Sequence, residues 1–147
     1  PMRNVRAFAA FSPDRPLGPH SIPRRELGPH DILVEIAFCG LCHSDIHQAR
    51  DEWGGATFPM VPGHEVAGHV RQVGTSVSRF KPGDRVGVGP IVDSCRVCSA
   101  CQDDEPQQCE RHPVFSYNST EMDEETPTFG GYSAEIVVPE LFALKLP

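Results

Sequence analysis

Ile32-Leu33-Val34-Glu35-Ile36-Ala37-Phe38 is the stretch that decides the fold. Its alternate positions Ile32, Val34, Ile36 and Phe38 fall on one face of an extended chain, the period of two that marks a strand with one buried side. Val66–Val73 and Ile136–Val138 read the same way, and Gly28-Pro29-His30-Asp31 and Pro82-Gly83-Asp84 supply turns between them. Fifteen prolines and thirteen glycines argue against long helices, and only about Ser44 to Arg50 reads as one. Short strands with frequent turns predict a mainly β fold, a small, partly open β-barrel with a few short helices. A chain of 147 residues makes one domain, and a domain of this size buries roughly 68–70% of its unfolded surface, enough for one sizeable core.

Cys95, Cys98, Cys101 and Cys109 form a C-x2-C-x2-C-x7-C run, the four thiolates that a closed tetrahedral zinc site requires. A disulfide cluster or independent buried thiols are the competing readings, and four cysteines within fifteen residues disfavour the second. A four-thiolate site has no open position for substrate, so it builds a structural lobe at about residues 93–112 and the chemistry lies elsewhere. Cys42 and His64, from distant parts of the chain, are a mixed soft and borderline ligand pair of the kind that holds zinc for catalysis.

Around these residues the chain runs Cys39-Gly40-Leu41-Cys42-His43-Ser44-Asp45-Ile46-His47, then Gly63-His64-Glu65, Gly68, Gly74, Val77 and Pro82-Gly83-Asp84-Arg85-Val86. In this it resembles the N-terminal, GroES-like catalytic part of zinc-dependent medium-chain alcohol dehydrogenases, nearest the cinnamyl alcohol dehydrogenase-like branch. The resemblance extends from an opening strand at Val5-Arg6-Ala7 to Gly130-Gly131-Tyr132-Ser133-Ala134-Glu135, and so spans residues 1–147 as one GroES-like domain.

The resemblance implies that Cys42 and His64 are ligands of a catalytic zinc and that Glu65 enters or borders its coordination sphere. Ser44 is then the hydroxyl nearest the reacting oxygen and His47 the far end of a proton relay; helix N-cap and surface histidine are the plainer readings of these two. A hydroxyl donates and accepts at once and an imidazole titrates near neutrality, which suits proton transfer. Asp45 accepts a hydrogen bond from His64 and fixes its tautomer. His43 faces the cofactor pyrophosphate, although four residues before His47 it also makes a rival metal pair on one helix face. Cys39 reads as a core thiol at a strand end. Trp53 and Ile91 either line an alcohol pocket or belong to the core.

The family resemblance further implies an oxidoreductase that interconverts alcohols and aldehydes with NADP(H), or with NAD(H), and assembles as a homo-oligomer, a dimer. Family members are more than twice as long and carry a Rossmann domain with the motif G-x-G-x-x-G and a further zinc-ligating cysteine. Neither is in this sequence, so the chain is expected to be inactive by itself. The other class of reading is an isolated zinc-stabilised β module that binds a partner through the face a Rossmann domain would cover.

Charge argues against a third class. Between Cys101 and Thr126 the eight acids Asp103, Asp104, Glu105, Glu110, Glu121, Asp123, Glu124 and Glu125 meet only Arg111, a net of −7 that accounts for the whole formal charge of −7. An acidic cysteine lobe repels phosphate, so nucleic acid is not the expected partner. No stretch reaches the ~18 apolar residues of a membrane span and no charged-then-apolar leader begins the chain. Six cysteines with metal-type spacing therefore predict a reducing, cytoplasmic setting.

Overall fold

The structure is a computed structural model and describes residues 2–147. Strand β1 (Arg3–Ala9) pairs antiparallel with β2 (Gly18–Arg24), from Arg3 opposite Arg24 to Ala9 opposite Gly18. Pro19 and Pro23 lie within β2. They are tolerated because the sheet has two strands, so the side of β2 away from β1 needs no N–H donors.

A five-stranded antiparallel sheet follows in the order β8-β3-β4-β5-β9, with β3 at Asp31–Cys39, β4 at Val66–Val73, β5 at Arg85–Val88, β8 at Glu135–Pro139 and β9 at Ala143–Lys145. The β3–β4 ladder shifts register between Leu33 and Val34 and again between Ile36 and Phe38. Such bulges raise local twist, and the sheet curls into a half-barrel. The second shift corrects the simple alternation. Ile32 and Val34 are fully buried, but Phe38 is 77% exposed and Cys39 packs on the core instead. Ala37 is the extra residue, and one extra residue moves every later side chain to the opposite face.

The main core is made of valines and isoleucines from the curled sheet, joined by Val92 of β6 (Ile91–Asp93) and Val114 of β7 (Val114–Phe115). Each such side chain, fully buried, contributes about 1.5–3 kcal/mol over an exposed one. A second cluster, Val5, Ala7, Ala9, Ile22 and Val61 with Tyr132 and Phe129 against it, lies under the β1–β2 hairpin. Buried Arg24 joins the two parts. Its guanidinium donates to the carbonyls of Glu135 at 2.8 Å, Phe129 at 2.6 Å and Gly130 at 3.0 Å, and to Ser133 Oγ at 2.8 Å.

Helix α1 is His43–Ala49, one residue earlier than the sequence suggests, and α2 is the single turn Ser99–Gln102. Among the described residues no helix is long and apolar enough to cross a membrane. The eight acids between Cys101 and Thr126 are solvent-exposed, save Glu121, which is half-buried with its carboxylate 3.5 Å from Arg25.

Candidate functional site

The chain leaves β3 at Cys39 and turns into α1 through Gly40, whose N–H donates to Glu65 O at 2.9 Å. This bond sets the start of α1 beside the start of β4. Cys42 occupies the N-cap of α1, so Ser44 lies inside the helix and the N-cap reading of Ser44 fails. Asp45, in the first turn, is 4% exposed. Its Oδ2 accepts the Cys42 N–H at 3.0 Å and its Oδ1 accepts the Gly63 N–H at 3.0 Å. One buried carboxylate thus ties together the backbone of Cys42 and that preceding His64, a link across 18 residues. His64 Nδ1 lies 3.4 Å from Asp45 Oδ1, the partner the sequence suggests. With Nδ1 turned to the carboxylate, Nε2 is the nitrogen free to ligate.

The Cys42, His64 and Glu65 ligand atoms all lie within 4.8 Å of one another. Thiolate, imidazole and carboxylate together suit zinc, so the donor set fits the metal that the resemblance implies. The Glu65 carboxylate occupies the space over Gly40, where any Cβ would overlap Oε2. Cys39 lies outside this group, and burial pushes its thiol pKa up, which suits a core thiol rather than a ligand.

Along α1 the rings of His43 and His47 stack at 4.5 Å, and Trp53 stacks on the other side of His47 at 5.1 Å. His47 Nδ1 contacts the carboxylate of Glu52, which is exposed. The His43/His47 pair belongs to neither of the two potential metal groups among the described residues. A cleft of about 670 Å³ runs past Cys42, His43, Asp45 and Ile46 to Leu41 and Tyr132. Trp53, 61% exposed, and Ile91, half-buried opposite Phe115, lie outside its lining.

In the cysteine lobe all four sulfurs, of Cys95, Cys98, Cys101 and Cys109, come within 4.8 Å of one another, and every cysteine is free of a disulfide. Arg96 takes the left-handed region at φ 62°, which turns the backbone so that the Cys98 N–H points at Cys95 Sγ, 3.4 Å away. The N–H of Cys95 meets Cys109 Sγ and that of Glu110 meets Cys98 Sγ, also at 3.4 Å. N–H groups aimed at sulfur favour thiolate, and the Cys95 N–H leads in bringing the Cys109 thiol down to about 6. The four convergent sulfurs can therefore hold a zinc ion, although the Cys101 thiol, beside Cys98 and Cys109, is pushed up to about 11.

Three residues at the site escape sequence reading. Tyr117 stacks on His64 at 5.9 Å and 10°, Tyr132 donates to Asp45 Oδ2 at 3.1 Å, and Glu52 meets His47. Tyr117 begins a polar stretch without periodicity, and Tyr132 lies 87 residues from Asp45. Only the H-x4-E spacing of His47 and Glu52 offers a local signal, and a weak one.

The fold and the site together define a small β domain with one four-cysteine cluster and one open Cys/His/Glu cluster beside a cleft. Residues 28–147 match the alcohol dehydrogenase GroES-like domain, and the chain belongs to that family. It is 50% identical over 142 residues to aldehyde reductase YahK of Escherichia coli, covering 97% of this chain and 40% of that protein. It is 49% identical over 146 residues to the NADP-dependent alcohol dehydrogenase C of Mycobacterium tuberculosis, covering 99% of this chain and 42% of the other. The crystal structure of CAD from Helicobacter pylori, complexed with NADP(H), superposes with a TM-score of 0.94 at 42% identity, over 99% of this chain and 42% of that one. The chain thus spans about two-fifths of the length of the relatives it matches.

Proposed function

We propose that residues 1–147 are the GroES-like catalytic domain of a zinc-dependent oxidoreductase that interconverts alcohols and aldehydes by hydride transfer with NADP(H). The observation that carries this reading is the convergence of Cys42, His64 and Glu65 on one point, braced by buried Asp45. Relatives named as an aldehyde reductase and an NADP-dependent alcohol dehydrogenase support the substrate class and the cofactor. The Rossmann domain falls, in this reading, in the part of the relatives that the chain does not match. Six disulfide-free cysteines, four of them in the lobe, support a reducing cytosol.

Zinc held by Cys42 and His64 would supply Lewis acidity toward an alcohol or carbonyl oxygen. The protein's own residues do the rest. Glu65, adjacent to His64 and given room by Gly40, offers a carboxylate that can complete the donor set. Ser44, two residues past Cys42 on α1, carries the hydroxyl that can pass a proton outward. His47, one turn further on, takes the proton toward Glu52 and solvent, its ring held between His43 and Trp53. His43 borders the cleft and is placed to meet an anionic part of the cofactor. Ile91 stays a candidate for the substrate wall.

In the full-length protein, Cys42→Ala or His64→Ala is expected to abolish aldehyde-dependent NADPH oxidation while zinc in the four-cysteine lobe is retained. Measurable turnover in either variant would remove the assignment.

A further inference from the structure

Tyr132 sits where the segments carrying the Cys42/His64 site meet, and none of the proton or ligand steps proposed for that site uses it. Its main chain is clamped on both sides. Its N–H donates to Pro62 O at 3.0 Å, and its carbonyl accepts the Phe8 N–H at 2.9 Å. The ring packs on the cluster under the β1–β2 hairpin and covers Gly63, where an added Cβ would come within 2.7 Å of Tyr132 Cδ1. Held in this way, the hydroxyl lies 3.1 Å from Asp45 Oδ2 and 3.5 Å from Gly40 O. A phenol has one proton to donate, and both the shorter distance and the charge of the acceptor direct it to Asp45.

Both oxygens of Asp45 are then committed. Oδ2 takes the Cys42 N–H and the Tyr132 O–H, while Oδ1 takes the Gly63 N–H and faces His64 Nδ1. We propose that Tyr132 is a positioning residue of this metal site: its hydroxyl fixes the plane of the Asp45 carboxylate so that Oδ1 stays turned toward the imidazole of His64. The terminal torsion of an aspartate is broad; the backbone N–H groups of Cys42 and Gly63 each hold one oxygen, and the Tyr132 hydroxyl adds a second donor on Oδ2 that restricts the remaining tilt of the carboxylate. A carboxylate that orients a metal-binding histidine is worth about 10–100-fold in metal affinity, and a hydroxyl acting through that carboxylate belongs at or below the low end of this range. Tyr117 provides the contrast. It too touches His64, by stacking, and its buried Oη lies near the same Asp45 carboxylate but outside hydrogen-bond geometry.

The inference rests on the reading of Cys42 and His64 as metal ligands, and one experiment separates the two. Cobalt(II) is titrated into the chain with zinc kept in the four-cysteine lobe, and affinity and d–d bands are recorded against a competing chelator. Tyr132→Phe, which keeps the ring, is expected to weaken cobalt by up to about 10-fold, the low end for groups that orient a ligand histidine, and to shift the d–d bands. Tyr117→Phe, which removes a hydroxyl near Asp45 but outside hydrogen-bond geometry, should weaken cobalt less than Tyr132→Phe does. In an Asp45→Asn background, Tyr132→Phe should add little, because the hydroxyl acts through that carboxylate. Parental affinity and spectrum in Tyr132→Phe would overturn the proposal. So would a loss of equal size in the Asp45→Asn background, or loss of the lobe zinc in the same variant, which would mean general unfolding. A parent whose cobalt spectrum is unchanged by Cys42→Ser would overturn the ligand reading itself, and this inference with it.

Discussion

At the residue scale the site is organised by a carboxylate that performs no chemistry. Asp45 draws its importance from burial: at 4% exposure its oxygens must find donors, and they take those of Cys42, Gly63 and Tyr132, with His64 Nδ1 3.4 Å away. His47 is of the opposite kind, a partly exposed ring whose Nδ1 meets an exposed acid. If it carries protons from Ser44 to water, His47→Ala in the full-length protein should lower alcohol oxidation at neutral pH by roughly 10²-fold, the low end for positioned proton transfer. Activity should recover partly as pH rises, because hydroxide then replaces the missing base. A rate-against-pH profile parallel to that of the parent would reduce His47 to a surface residue. The Ser44–His47 relay is implied by the family resemblance, whereas Glu52 reaches His47 through the turn that ends α1, where its N–H donates to His47 O at 3.0 Å.

At the element scale, the β3–β4 ladder determines which residues reach the core and which reach the site. Gly68 faces Ile36 across this ladder, and any Cβ on it would overlap the carbonyl of Glu35, a backbone atom that cannot step aside. Gly68→Ala should therefore force the strands apart and cost on the order of 2–3 kcal/mol, the upper part of the overpacking range. Chemical denaturation would measure it, and a change under about 0.5 kcal/mol, typical of a neutral surface site, would show that the ladder yields. The strands themselves are legible in the sequence, since Ile32, Val34 and Val66–Val73 follow the period of two. The bulge at Ala37 is not, because an extra residue in one strand is visible only against its partner, and it sends Phe38 to the surface and Cys39 inward. Strand β2 is equally hidden: its two prolines read as breakers, and only its position at the edge of a two-stranded ladder makes them acceptable.

At the scale of the whole molecule the two metal-site candidates differ in closure. The four-cysteine lobe is complete within Cys95–Cys109, and zinc there should contribute on the order of 10 kcal/mol to folding of that lobe. The Cys42/His64/Glu65 group has three donors in the chain, and Cys42 also lines the cleft. One tightly held and at most one labile zinc per chain are expected, the second removed by a moderate chelator while the β fold persists. Metal analysis with circular dichroism after dialysis checks this. Two equally retained ions would mean a further ligand from the chain or a neighbouring copy, and none would undo the structural reading of the lobe.

The sequence alone determined what local chemistry dictates, the strand period and the thiolate spacing of the lobe, while Cys42, Ser44, Asp45, His47, His64 and Glu65 were singled out by motifs that resemble a known family. Each of these signals lies within a few residues, where periodicity and ligand reach are set by covalent geometry. The tertiary structure decided what depends on distant partners. It brought Cys42 to His64 through a carboxylate that binds the backbone of both segments, placed Tyr117 and Tyr132 around the pair, and let a bulge exchange Phe38 for Cys39 in the core. Those contacts join segments up to 87 residues apart, and their pairing is chosen by the packing of the whole domain, not by any stretch of chain read alone.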